Sequence, residues 1–150
     1  MARNSTADGS GPWFQTRISD YVHEGPMAAG IVAGYPAVVF RNGNIVKIAR
    51  SSTIDGIGTW AISDIDTAEN IIHGSISLAT IDDKPVVAYR ADIGQIFMGD
   101  YYDYTHTQLR YARCTTSDGS GSWSVTQVHQ APYIDEDNYF WNSLAVIDGK

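Results

Sequence analysis

Apolar and polar positions along this chain follow the two-residue period of extended strands, and no segment sustains a helical period. Trp60-Ala-Ile-Ser-Asp-Ile65 and Trp123-Ser-Val-Thr-Gln-Val-His129 alternate, as a sheet with one buried face requires. Ala37-Val-Val-Phe40 and Val86-Val-Ala-Tyr89 are unbroken apolar runs, which predict strands covered on both faces. Ile45-Val-Lys-Ile-Ala-Arg50 and Leu109-Arg-Tyr-Ala-Arg113 alternate in part and are bounded by turn residues. Asn42-Gly43 predicts a tight hairpin between two such runs.

The pattern recurs. Thr6-Ala-Asp8-Gly9-Ser-Gly11-Pro-Trp13 returns as Thr53-Ile-Asp55-Gly56-Ile-Gly58-Thr59-Trp60, and again as Thr116-Ser-Asp118-Gly119-Ser-Gly121-Ser122-Trp123. An Ala-Arg pair precedes each Asp by the same interval, at Arg3, Arg50 and Arg113. Pro36-Ala-Val-Val-Phe-Arg41 matches Pro85-Val-Val-Ala-Tyr-Arg90. Segments opening at Met27, Ile76 and Asn142 match one another as well. Such a period marks an array of supersecondary units. Each full unit reads as four strands: an inner strand, a Pro-led strand, an Ala-Arg strand, the Asp-Gly turn, then a Trp-led strand. A four-stranded antiparallel unit of this length is one blade of a β-propeller. The expected division is a partial blade over 1–26, complete blades over 27–66 and 75–129, and the first strand of a further blade over 142–150.

The repeated turn has a local rationale. Glycines permit a compact reversal, and the Asp carboxylate and Thr hydroxyl can accept hydrogen bonds from the turn's own N–H groups. The Trp is expected to anchor each turn by burying its ring. This turn resembles the Asp box of sialidase-like propellers, the bacterial neuraminidase repeat. Thr, Asp and Trp match that motif in all three copies, and Thr59 and Ser122 match its penultimate position. The glycines depart from it, since they lie first and third after Asp, where the family places one second. The resemblance implies a propeller, a box joining the third and fourth strands of each blade, and a parent protein that is secreted or surface-exposed.

The same resemblance implies a test for sialidase chemistry: an arginine triad, a Tyr–Glu nucleophile pair and an Asp acid/base. Arg41 and Arg90 occupy matching blade positions and are candidates to converge on a ligand carboxylate. The structural alternative reads both as strand-end residues at the surface. The family's early Phe-Arg-Ile-Pro motif has no match, and Glu24, Glu69 and Glu136 have no Tyr partner by sequence. No catalytic residue is assigned.

Two expansions interrupt the regular units. From the repeated Pro to the next Trp is 24 residues in the first complete unit and 38 in the second. The added residues form an expanded loop over 91–107, and a second expansion runs over 130–141. In a four-stranded blade both fall on the face opposite the Asp boxes. They carry Tyr101, Tyr102, Tyr104, Tyr139 and Trp141 among carboxylates. Rings stack on the apolar faces of sugars while acids accept hydrogen bonds from hydroxyls. These aromatics, with Arg41 and Arg90, are the candidate ligand-binding residues. Asp135 and Asp137 are candidate oxygen ligands for Ca²⁺, without the spacing of an EF-hand loop.

Composition narrows the partners. A net charge of -7 argues against nucleic acid, which demands a surplus of Lys and Arg. No apolar run is long enough to span a bilayer, and no secretory signal is read in the sequence. The single cysteine, Cys114, precludes an internal disulfide. The expectation is a segment of a non-catalytic propeller that binds a glycan or a protein surface through its expansions. Self-association is the other way to close the ring. The alternatives are a fragment of a sialidase-like exo-glycosidase and an architectural repeat of a surface protein.

Overall fold

A computed structural model describes residues 2–6, 8–19, 25–67, 75–97, 99, 102–132 and 142–147. All the regular structure among the described residues is β. A two-stranded sheet pairs β1 (Ala2–Asn4) with β2 (Trp13–Gln15). The first four-stranded sheet runs in the order β3 (Met27–Val32), β4 (Tyr35–Asn42), β5 (Ile45–Ser51), β6 (Trp60–Thr67). The second comprises β7 (Ile76–Ile81), β8 (Lys84–Phe97), β9 (Tyr102–Cys114) and β10 (Trp123–Pro132), again paired in chain order. Every pairing is antiparallel.

Turn chemistry sets these hairpins. Ala33 and Gly34 both take positive φ between β3 and β4, as do Asp82 and Asp83 between β7 and β8. That is the backbone twist a two-residue hairpin favours. Between β4 and β5 the turn residues are Gly43 and Asn44, one place beyond the predicted pair, and Gly43 takes the positive φ of 60°.

The two large sheets share a register and stack head to tail. Ala37, Val39, Val46 and Ile48 of the first sheet form one buried cluster with Ile76, Val87, Tyr89 and Ala112 of the second. Val39 corresponds to Ala88 in the repeat, not to Val87. The second sheet therefore meets the first with its opposite face, and its remaining face is the equivalent of the one the first sheet has buried. The inner strands touch: the Thr80 hydroxyl donates to the Ile31 carbonyl at 3.2 Å, and Gly30 leaves room for Leu78. Asn142, the counterpart of Ile76, bonds in turn to Ser75 and Ser77 on the far side of β7.

Burial follows position in the stack. Val86, Val87 and Tyr89 are wholly buried, as an unbroken apolar run in a doubly covered strand should be. The Trp-led outer strands are more exposed than their alternation predicts, with Ile62 43% and Val128 60% accessible. Each bears a bulge at the same place. Val46 and Lys47 pair with Asp66 and Asp64, leaving Ile65 extra, and the register of β10 shifts between Gln127 and His129. An extra residue reverses the alternation beyond it.

Candidate functional site

The three repeated turns are built alike. The carboxylates of Asp8, Asp55 and Asp118 each accept the backbone N–H two residues on, at 3.1, 3.2 and 3.0 Å. The hydroxyls of Thr6, Thr53 and Thr116 each accept the N–H of the second glycine at 2.8 Å. The two glycines have different reasons. Gly9, Gly56 and Gly119 have φ of 79°, 76° and 80°, which side chains rarely adopt. At Gly121 a Cβ would lie 2.4 Å from the Thr115 hydroxyl and 2.8 Å from a Thr116 methyl, so a larger residue forces these side chains to shift. Thr116 and Ser120 hydrogen bonds hold the Asp118 carboxyl down at about 2, and Thr6 and Ser10 do the same for Asp8. These are scaffold contacts. The Trp anchors differ: Trp123 packs on the core, whereas Trp13 is 64% exposed, contrary to the expected burial.

The expansion over 91–107 is not an open loop. β8 and β9 continue their ladder past the sheet, pairing Ile93 with His106, Gln95 with Tyr104 and Phe97 with Tyr102. Its root adjoins the second expansion, because Thr107 pairs with Asp92 on one side and Ala131 on the other. The described parts of both expansions thus meet at one end of the second sheet, away from the Asp-Gly turns.

Two polar systems brace that root. The first crosses between sheets. Tyr89 donates its hydroxyl proton to Asp66, and Arg110 binds the same carboxylate oxygen at 2.8 Å. Burial and the Asp66 carboxylate raise the Tyr89 hydroxyl well above its usual range. Arg110 Nε also donates to the Gln108 side-chain oxygen Oε1 at 2.9 Å, and the Gln108 amide Nε2 donates on to the side chains of Gln127 and Gln130. Gln127 and Gln130 can share one face only because the bulge lies between them.

The second system lies on the opposite face. Arg90 is 8% and Asp92 1% accessible, and Arg90 Nε lies 2.9 Å from Asp92 Oδ1. Thr107 donates to the same oxygen at 2.9 Å. This corrects the surface reading of Arg90, which is buried and bound by Asp92 and Thr107 at the root of the extended hairpin. Arg41, its repeat equivalent, is partly buried and donates from Nε to the Gly43 carbonyl at 2.6 Å.

Beside Arg90 lies a cavity of about 150 Å³, lined by Thr107, Leu109, His129, Ala131 and Asn142. In the first sheet the matching place, at Asp66, receives Tyr89 and Arg110. Of the other candidates, Tyr102 and Tyr104 are placed by their backbone register, and Tyr101, Tyr139, Trp141, Asp135 and Asp137 lie outside the described residues. Among the described residues no cluster of three His, Cys, Asp or Glu side chains is set to hold a metal, and no helix is long and apolar enough to cross a membrane. The sequence reading missed Asp92 and Asp66 as braces; Asp92, two positions after Arg90, was the available signal.

Comparison with protein-family models, with curated proteins and with solved structures gave no match to this chain.

Proposed function

We propose that the chain is a non-catalytic segment of an Asp-box β-propeller whose second blade binds a glycan where its two expansions meet. The observation that carries this reading is the selective extension of one hairpin. Two sheets share their strand order and register, yet only the second prolongs its central ladder by more than a turn, to Phe97 and Tyr102. The extension brings Tyr and Asp residues in sequence that a structural repeat does not need. Head-to-tail stacking of four-stranded sheets, inner strand to inner strand, supports the propeller.

Arg90 supports the non-catalytic reading. A clamp for a substrate carboxylate needs its charge directed at the ligand, and Arg90 is compensated by Asp92 inside the fold.

Retention of the whole chain on a glycan array tests this. Tyr102→Ala, Tyr104→Ala, Tyr139→Ala and Trp141→Ala are each expected to weaken retention roughly tenfold, at about 1–1.5 kcal/mol per stacking ring. Arg41→Ala should leave it unchanged. Absence of retention on every glycan, or hydrolysis of a fluorogenic sialoside, overturns the reading.

A further inference from the structure

The third Asp-Gly turn does more than reverse the chain. It docks on the face of the first sheet. The Ser63 hydroxyl donates to the Gly119 carbonyl at 3.2 Å, and the Cβ position of Gly119 lies 3.6 Å from Ile48 Cδ1. Ile48, Arg50, Ala61 and Ser63 line a shared hollow with Asp118, Gly119 and Ser120. The Arg50 charge acts on the Asp118 carboxylate, after the turn's own hydrogen bonds.

The second sheet repeats this seat. Ladder positions Ile48–Ser63 and Arg50–Ala61 correspond to Tyr111–Thr126 and Arg113–Ser124. The hydroxyl donor is kept as Thr126 and the cation as Arg113. Ser124 and Thr126 are exposed. Arg113 is 35% accessible and bonds to Asp82, itself 68% accessible, a surface pair of the kind that exchanges partners readily.

Among the described residues the first Asp-Gly turn is packed on no sheet face. Gly56 and Gly119 are buried, whereas Gly9 is exposed and its Cβ position meets nothing within 4 Å. Asp8 and Trp13 are exposed beside it. In sequence this first turn is nearly a copy of the docked third turn: Thr, Asp, Gly, Ser, Gly and Trp coincide.

We infer that the seat formed by Tyr111, Arg113, Ser124 and Thr126 accepts the Thr6–Trp13 turn of a second copy of this chain, joining copies head to tail. Asp8 meets Arg113 as Asp118 meets Arg50, and Thr126 donates to the Gly9 carbonyl as Ser63 does to Gly119. The contact is heterologous, so it propagates until the rotation closes a ring.

Sedimentation velocity of the whole chain over a concentration series at low salt tests this. The weight-average mass should rise with concentration. Arg113→Glu, at a partly exposed position, and Thr126→Val, at an exposed one, should each weaken association about tenfold or more. Added salt should weaken it as well, since the pair is solvent-exposed. A monomer at every concentration overturns the inference. So does association that neither substitution alters, which would mean a different surface joins the copies. The seat is at the Asp-Gly end of the sheet, away from the extended hairpin, so this outcome is independent of glycan retention.

Discussion

The two four-stranded sheets are one design finished in two ways. Strand order, register, turn geometry and even the bulge coincide. They differ where the central hairpin ends. In the first sheet Gly43 closes it, and its carbonyl receives Arg41. In the second the ladder runs on, and Asp92 and Thr107 take over that task for Arg90. An arginine at this ladder position accepts either arrangement, because each supplies an acceptor to its guanidinium. What differs is everything beyond that brace, where the second sheet projects and the first does not. The lesson is that the scaffold is maintained by interchangeable partners, which leaves the hairpin free to diversify.

The largest expected effect comes from breaking what couples the sheets. Asp66→Leu strands Arg110 and the Tyr89 hydroxyl in the seam, and should cost about 3 kcal/mol in urea unfolding. A loss below about 1 kcal/mol would mean that the seam depends on apolar contacts alone. Next is Gly121→Ala, which drives a Cβ into Thr115 and Thr116. It should cost about 2 kcal/mol by overpacking, more than Gly43→Ala at an open position, about 1 kcal/mol.

A smaller effect sharpens the comparison directly. Replacing residues 92–107 by Gly-Asn gives the second sheet the first sheet's hairpin, and gives Arg90 a turn carbonyl. This chain should fold with a stability change of about 1 kcal/mol or less, yet lose glycan retention. Unfolding would show that the extension is structural.

The smallest effect is a pH dependence. The folded Asp118 carboxyl is lowered from 3.8 to about 2, so its stabilising contribution is complete above the unfolded value and is lost as pH falls through the folded one. Wild type and Asp118→Asn should therefore differ by a constant gap in urea midpoint at neutral pH. That gap should close between pH 3.8 and about 2. A gap that persists at pH 2 would mean that the charge does not matter to the turn.

The strand order was legible because the turns are local: Asp, Thr and glycine set each reversal with atoms a few residues apart. The buried residues around Val39 and Val87 were legible because an unbroken apolar run marks a covered strand. The hairpin extension was hidden, since Asp92, Gly94 and Gln95 interrupt the apolar alternation that marks a strand. Asp66 and His129 were hidden by the bulges, which turn a residue to the face that simple alternation denies it. Trp13 shows the limit of repeat logic: a closely similar motif leaves its ring 64% exposed, whereas Trp123 packs on the core. For the binding residues the sequence supplied only aromatic and acidic composition, and their roles rest on the proposal.

The bulges at Ile65 and Val128 have a consequence for solubility. Both occur on the outermost strand of a sheet, where an unpaired backbone edge invites lateral fusion with another chain. A bulge makes that edge irregular and increases its twist, so an incoming straight strand cannot match its hydrogen-bond spacing. The molecule should therefore resist fibril growth along these edges even when concentrated. Straightening one of them, by deleting Val128, should make the chain a substrate for amyloid seeding.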